Sequence, residues 1–117
     1  MKKLDMSTVV YVLIMLFVFI TATAFGQIKV VQFNANWNDA NSVGWIHDLK
    51  EWNTIDFVDI AKDAEAAKKH KIAVVPTIIV FRDGEEAIRF QADLSFKMVA
   101  TREEVQEPID ELLMSDF

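Results

Sequence analysis

The sequence predicts an α/β domain whose sheet has four strands of mixed direction, preceded by an N-terminal hydrophobic helix. After Gln27, segments rich in β-branched residues alternate with segments whose apolar residues recur at helical spacing. In the second half, an Asp-Gly step separates two short strand-like runs. The 117 residues suit one domain with an appendage. We therefore divide the chain into residues 1–26 and a folded domain over residues 27–117.

The first half of the domain contains the pattern of two strands and two helices. Residues 28–33 (IKVVQF) and 55–60 (IDFVDI) are short and apolar, as buried parallel strands usually are. Residues 62–70, rich in Ala and Lys, predict a helix with Asp63 near its start, where the helix dipole favours a negative charge. Residues 41–52 predict an earlier helix with one apolar face, formed by Trp45, Ile46, Leu49 and Trp52.

The second half predicts a hairpin and a last helix. Residues 77–81 (TIIVF) and 86–90 (EAIRF) flank an Asp83-Gly84 step, which supplies the positive φ angles of a tight turn, so these strands should be antiparallel. Further on, the Thr-Arg-Glu-Glu run at residues 101–104 fits a capping box. Pro108 lies inside the helix that follows, and we expect a kink there or a helix that begins near it. Its buried face would hold Val105, Ile109, Leu112 and Leu113.

The N-terminal segment has the order of a secretory signal peptide. Lys2 and Lys3 precede an apolar run over residues 9–20 (VVYVLIMLFVFI), and small residues place candidate cleavage points after Ala24 and Gly26. The alternative is a retained transmembrane anchor. The 23 residues between Asp5 and Lys29 carry no charge, and they are enough to cross a bilayer core of ~30 Å.

Both interpretations place the domain on the same side of the membrane. The N-terminal lysines stay in the cytoplasm, and the domain is exported across the cytoplasmic membrane. With cleavage it would be periplasmic or extracellular. Without cleavage it would be anchored outside the cytoplasm, in contact with the membrane through residues 6–26.

Composition argues against several classes of partner and cofactor. The chain has 12 basic and 18 acidic residues, and setting aside Lys2, Lys3 and Asp5 leaves the domain with 10 basic and 17 acidic residues. Nucleic acid is therefore a poor partner, since binding it requires clustered positive charge. There is no cysteine, so the chain holds no disulfide and no thiolate metal site. The two histidines, His47 and His70, suggest no metal or catalytic site, and we expect no cofactor.

Two stretches resemble the thioredoxin family. Residues 72–85 (IAVVPTIIVFRDGE) resemble the thioredoxin stretch in which a cis-proline precedes the hairpin strands. Residues 30–37 (VVQFNANW) are similar to the family's strand that leads to an aromatic residue just before the active-site pair. The resemblance covers residues 28–113 and implies the minimal thioredoxin fold, in the order β-α-β-α-β-β-α. It also implies that Pro76 is cis.

The resemblance fails at the residues that carry thioredoxin chemistry. The family's Trp-Cys-X-X-Cys corresponds here to Trp37-Asn38-Asp39-Ala40-Asn41, so both cysteine positions hold asparagine. Disulfide exchange needs a thiolate to attack and a second thiol to resolve the mixed disulfide. The family's buried carboxylate would fall at Gln32, which does not titrate. The chain is therefore predicted to be a redox-inactive, non-catalytic member, with Asn38 or Asp39 capping the helix that follows.

The resemblance further implies a shallow groove in which extended peptides bind. Its residues would be Trp37, Asn38, Asp39, Asn41, Val75 and Pro76, with Ala92 at its margin. Val75, the residue before the cis-proline, would present unpaired amide and carbonyl groups to a peptide. The other interpretation of Trp37 is that it only covers the sheet edge.

Two functions follow from these observations. The first is a non-catalytic envelope protein that binds extended polypeptide, or a protein partner, through the former active-site groove. The second is a membrane-anchored accessory subunit of a larger complex. Whether residues 1–26 are cleaved discriminates between the two.

Overall fold

The computed structural model describes residues 26–115, which form one mixed four-stranded sheet with helices on both faces. The strands are β1 (Ile28–Asn34), β2 (Thr54–Asp59), β3 (Thr77–Arg82) and β4 (Glu85–Gln91), in the spatial order β2-β1-β3-β4. β1 and β2 are parallel, whereas β3 is antiparallel to both β1 and β4. The predicted α/β class and mixed sheet are confirmed. The predicted N-terminal helix lies outside the described residues.

The two central strands bury side chains on both faces of the sheet. One face holds the larger cluster, in which β1 and β3 meet the last helix and the segment after β1: Ile28, Val30, Val43, Ile46, Leu49, Ile78, Val80, Val105 and Ile109. The other face holds a smaller cluster formed by Val31, Phe33, Ile79 and Phe81. This two-sided burial explains why β1 and β3 read as nearly continuous apolar runs.

A short helix, α1 (Ala64–Lys69), covers the smaller cluster. The Asp63 side chain caps its first turn by accepting a hydrogen bond from the Ala66 amide at 3.1 Å. At the other end, the Arg89 guanidinium on β4 donates to the carbonyls of His70 and Lys71, at 2.7 and 3.2 Å. The guanidinium also pairs with Glu86, which lowers the pKa of that carboxyl through the hydrogen bond. The cation on β4 therefore ties the end of α1 to the sheet.

The last helix, α2 (Arg102–Met114), covers the larger cluster and begins where the sequence predicts. Both hydrogen bonds of the capping box are present: the Glu104 amide donates to Thr101 Oγ1, and the Thr101 amide donates to the Glu104 carboxylate. The helix runs through Pro108, so the alternative that it begins near that residue is wrong. Val105 and Ile109 are buried one turn apart, against the sheet.

The hairpin between β3 and β4 has the turn that Asp-Gly predicts. Asp83 and Gly84 have φ angles of 52° and 85°, the left-handed values of a two-residue hairpin turn. Asp83 also holds the entry to β1, because its carboxylate accepts from the Gln27 amide at 2.8 Å and its own amide donates to the Gln27 carbonyl at 2.9 Å.

The predicted helix over residues 41–52 is wrong. That span instead contains one 3₁₀ helix, Gly44–Asp48, and a second 3₁₀ helix, Asn36–Asn41, precedes it. The two end at the extended backbone of Leu49 (ψ 148°) and Ser42 (ψ 142°), respectively. Ile46 and Leu49 are buried as predicted, but Trp52 is 38% exposed and its indole donates to the Leu49 carbonyl. The spacing of the apolar residues predicted part of the buried face correctly, but it did not predict the type of helix.

The described residues contain no long apolar helix. Between residues 26 and 115, none of the helices is both long enough and apolar enough to cross a membrane. The segment for which the sequence predicts a signal peptide or an anchor, residues 1–26, lies almost wholly outside that range.

Candidate functional site

The fold brings the two stretches that predict a groove to one end of the sheet. β1 and β3 are antiparallel and Phe33 lies opposite Thr77, so the end of β1 meets the beginning of β3. The first 3₁₀ helix leaves β1 at this end, and Pro76 enters β3 beside it. The Val75–Pro76 peptide bond is cis. Among the predicted groove residues, the Asn38 side chain forms hydrogen bonds with the Asn41 side chain and with the Val75 carbonyl.

Asn38 lies at the centre of the site and is buried, with 5% of its surface exposed. Its side-chain amide nitrogen donates toward the side-chain oxygen of Asn34 at 3.1 Å and toward the main-chain carbonyls of Phe96 at 3.2 Å and Val75 at 3.4 Å. Its own side-chain oxygen accepts from Asn41 at 2.8 Å. One amide therefore joins β1, the loop before the cis-proline, and the loop after β4.

Asn34, at the end of β1, completes this network. Its amide nitrogen donates to the Asn38 carbonyl at 3.2 Å and to Ser42 Oγ at 2.9 Å. The Ser42 hydroxyl in turn donates to the Asp39 carboxylate at 3.4 Å. Three asparagines and a serine thus hold the loop by neutral hydrogen bonds, where the thioredoxin pattern would place two thiols.

The predicted capping role of Asn38 and Asp39 is wrong. The first 3₁₀ helix has no side-chain cap, and its N-cap residue is Ala35. Asn38 lies inside that helix with non-helical angles (φ −112°, ψ 19°). Its side chain points inward, where it donates to the buried Val75 carbonyl and to the Phe96 carbonyl.

Val75 and Pro76 differ from the groove that the resemblance implies. Both side chains are buried, and the Val75 carbonyl accepts from Asn38, so the expectation that this carbonyl is unpaired is wrong. The Pro76 carbonyl accepts from the Ala92 amide at 3.0 Å. Among the described residues, the Val75 amide donates to no partner, which leaves one donor here for a ligand.

Trp37 forms the exposed part of the site. Its side chain is 63% exposed and lies edge-on against Phe96, with ring centroids 5.1 Å apart and an interplanar angle of 87°. Leu94, two residues before Phe96, is 91% exposed. Phe96, Leu94 and Asn34 are not among the site residues predicted from the sequence.

A compact turn presents Phe96 to Trp37. The Asp93 carboxylate accepts from the Ser95 hydroxyl at 2.6 Å, from the Ser95 amide at 2.9 Å and from the Lys97 amide at 3.2 Å, and these bonds lower the pKa of Asp93. Phe96 itself has a φ angle of 63°, a left-handed conformation that is unusual for an aromatic residue. An Asp-x-Ser turn carrying two large apolar residues was the signal in the sequence that could have identified this loop.

Gln32 replaces the family's buried carboxylate with a structural amide. The residue is 3% exposed, and its side-chain oxygen accepts from the Val43 amide at 2.7 Å. That bond anchors the segment between the two 3₁₀ helices onto β1. Since the chain contains no cysteine, the site performs no thiol–disulfide chemistry, and this glutamine serves packing.

The fold of this chain is similar to that of thioredoxins. A single-residue mutant of thioredoxin from Halobacterium salinarum NRC-1 matches it with a TM-score of 0.61, at 16% identity over 75% of this chain and 76% of that one. Thioredoxin pre-protein from Schistosoma mansoni matches with a TM-score of 0.60, at 22% identity over 82% and 89% of the two chains. Thioredoxin from Fasciola hepatica matches with a TM-score of 0.53, at 22% identity over 81% and 89%.

No protein-family model matches the sequence, and no curated protein does. The thioredoxin-like fold is therefore established by structural similarity, in agreement with the resemblance of the two sequence stretches.

Proposed function

We propose that this chain is a non-catalytic, thioredoxin-like protein of the cell envelope that binds extended polypeptide, or a protein partner, at the former active-site end of the sheet. The observation that carries the proposal is the exposed Trp37 ring, held against Phe96 beside the cis-proline. The binding residues are the predicted set of Trp37, Asn38, Asp39, Asn41, Val75 and Pro76, enlarged by Leu94 and Phe96.

An exposed tryptophan on a rigid base is suited to binding. Large apolar side chains that remain in water without a partner lose the free energy of burial, about 25 cal/mol for each Å². Here Trp37 directly precedes the buried Asn38 in the chain, and the Asn38 side-chain amide donates to the Phe96 carbonyl. Both aromatic residues are therefore attached to one buried residue. Such a surface needs little ordering when a ligand arrives, and aromatic residues of this kind often dominate binding energies.

The backbone contribution to binding is one-sided. The Asn38 amide occupies the Val75 carbonyl, so a peptide could pair with the Val75 amide only. We therefore propose that affinity comes mainly from apolar contact with Trp37, Leu94 and Phe96, with the Val75 amide setting the direction of the bound segment.

A binding assay with the full chain tests this function. The probe is a reduced and alkylated, permanently unfolded protein, whose binding is followed by anisotropy of a fluorophore attached to the probe. Trp37→Ala should weaken binding by about tenfold, the loss expected of a hot-spot aromatic residue. The matched control is Trp52→Ala, since Trp52 is also partly exposed but lies on a different segment. Equal affinity of the Trp37 variant and the unmodified chain would refute the proposal.

A membrane-anchored accessory subunit is the second candidate. The observation that favours it is the uncharged stretch of 23 residues between Asp5 and Lys29. The intact mass of the expressed protein in separated membrane and soluble fractions discriminates the two. A mass lacking the first 24 or 26 residues in the soluble envelope fraction supports the first function. The full-length mass in the membrane fraction supports the second.

A further inference from the structure

A second surface, away from Trp37, is the open edge of β2. This strand lies at the outside of the sheet and pairs with β1 along one side only. The Ile60 amide donates to the Asn34 carbonyl at 2.9 Å, which fixes which backbone groups face β1. Because these groups alternate along a strand, those of Asp56 and Val58 also face β1, and those of Ile55 and Phe57 face outward. Among the described residues, the outward amides and carbonyls of Ile55 and Phe57 have no partner.

The opposite edge of the sheet is protected in a way that β2 is not. The β3–β4 register shifts between Val80 and Phe81, a bulge that disturbs pairing on that side. Bulges are among the devices by which edge strands avoid pairing with other chains. By contrast, the β1–β2 register runs from Lys29 to Asn34 without a shift.

One of the exposed side chains on this edge is aromatic. Phe57 is 51% exposed, and its ring lies 5.3 Å from the ring of His47. It borders a hollow of about 390 Å³ at the end of β1 and β2, whose other walls include the carboxylates of Asp39 and Asp59. An apolar ring next to two carboxylates is complementary to a long basic side chain, which has an apolar stem and a charged head.

We propose that the β2 edge binds an extended segment of a partner polypeptide, and that a Lys or Arg side chain of that segment crosses Phe57 to reach Asp39 and Asp59. The segment would add a fifth strand through the free backbone groups of Ile55 and Phe57. Charge complementarity favours a basic segment, because the domain has 17 acidic and 10 basic residues. A second copy of this chain is a poorer occupant, since its own β2 would bring Asp59 to an edge that already holds Asp39 and Asp59, while its Asp56 is paired with Lys29.

The test uses the full chain and a synthetic peptide of alternating Thr and Val with one central Lys. Amide hydrogen exchange measured by NMR should show at least about tenfold greater protection of Ile55 and Phe57 when the peptide is bound. Asp56 and Val58, already paired with β1, should change little. Two comparison peptides carry Glu in place of Lys, or N-methyl groups on alternate backbone amides, and both should lose protection.

Variants separate the backbone contribution from the side-chain contributions. Phe57→Ala removes the ring and should weaken binding about threefold, whereas Phe57→Pro also removes the outward amide and should abolish binding. Asp39→Asn with Asp59→Asn should weaken binding of the Lys peptide about tenfold and leave a peptide with Thr at that position unaffected. The control is Glu65→Gln with Glu107→Gln, an equal change in charge at two exposed helical positions.

Four results would overturn the inference. Equal binding of the Lys and Glu peptides would remove the role of the carboxylates. Protection of Val75 in place of Ile55 and Phe57 would place the peptide in the groove of the proposed function, which would then stand alone. Protection of Ile55 and Phe57 in the absence of peptide, rising with protein concentration, would show that a second copy covers the edge. Loss of peptide binding in Trp37→Ala, with Phe57→Pro unaffected, would likewise assign binding to the groove.

Discussion

Asn38 occupies the position at which the resemblance to thioredoxins implies a reactive cysteine, and it lies in the interior of the domain. Its buried amide contacts four neighbouring polar groups. These hydrogen bonds stabilise the loop. The site is therefore rigid at its centre, and its accessible parts are the rings at its margin.

Replacement of Asn38 by Ala should destabilise the domain by about 2 kcal/mol, because it leaves the Val75 carbonyl without a donor in a buried position and removes the hydrogen bond to the Phe96 carbonyl. Urea unfolding measures the change in the free energy of unfolding. Asn36→Ala is the control, since Asn36 is exposed, lies in the same 3₁₀ helix, and should change stability by no more than about 0.5 kcal/mol. Equal effects of the two variants would contradict the role given to the network.

The sequence alone could locate this residue but not its role. The two cysteine positions are recognisable from Trp37 and from the spacing to Asn41. The partners of Asn38, however, lie 37 and 58 residues away, at Val75 and Phe96. A local pattern predicts local caps, and it has no information on carbonyls that only the folded sheet brings close.

His70 gives the domain a predicted dependence on pH. Its ring lies 5.3 Å from each of the rings of Phe33 and Phe81. Burial lowers the pKa of His70 from 6.5, and the charge of Lys69 lowers it further. The folded state therefore binds this proton less readily than the unfolded state does, so stability is complete above pH 6.5 and declines as the pH falls below it.

Thermal unfolding between pH 8 and pH 5 checks the direction of this effect. The midpoint should fall at the acidic end, and His70→Gln should make it less dependent on pH. His47→Gln is the matched control, because it removes the other histidine and leaves His70 between its two aromatic neighbours. A pH dependence that survives in His70→Gln and disappears in His47→Gln would contradict the assignment.

At the scale of elements, the strands and the caps follow local rules and the segment after β1 does not. The Asp83-Gly84 turn, the Asp63 cap and the box formed by Thr101 and Glu104 all appear where their residue types predict them. In place of the helix predicted over residues 41–52 there is only the short 3₁₀ helix Gly44–Asp48, in part because the Gln32 side chain accepts from the Val43 amide. The spacing of apolar residues gives no information about a hydrogen bond to a side chain on β1.

Pro108 lies inside α2 and weakens it. A proline there has no amide hydrogen to donate to the Glu104 carbonyl, and its ring crowds that carbonyl. Pro108→Ala should stabilise the domain by about 1–2 kcal/mol and raise the helical signal in circular dichroism. Glu107→Ala, at the exposed neighbouring position, is the control and should have a smaller effect. Destabilisation by Pro108→Ala would mean that the proline ring packs in a way the alanine cannot replace.

For the molecule as a whole, the fold follows from a few long apolar runs. β1 and β3 are buried on both faces, so their sequences could place them at the centre of the sheet, and the hairpin turn gave the direction of β4. The proposed binding surfaces consist instead of exposed side chains that no local sequence pattern identifies. The sequence does not distinguish Phe57 and Leu94 from apolar residues of the core, and only the folded domain shows that they are exposed.

The arrangement of the core predicts that the domain folds without the N-terminal segment. Within residues 26–115, the buried apolar side chains lie between Ile28 and Ile109, and Gln27 makes two hydrogen bonds to Asp83. A chain that begins at Gln27 should therefore unfold cooperatively, with a thermal midpoint within a few degrees of that of the full chain.

A chain that begins at Asn34 is the control, since it lacks nearly all of the strand that pairs with both β2 and β3. It should not fold, because it loses four buried apolar side chains and the hydrogen bonds of two strand pairs. Near-ultraviolet circular dichroism during heating distinguishes the outcomes. A broad transition in the chain that begins at Gln27 would show that residues 1–26 contribute to the core. The segment would then have a structural role beyond that of a signal peptide or an anchor.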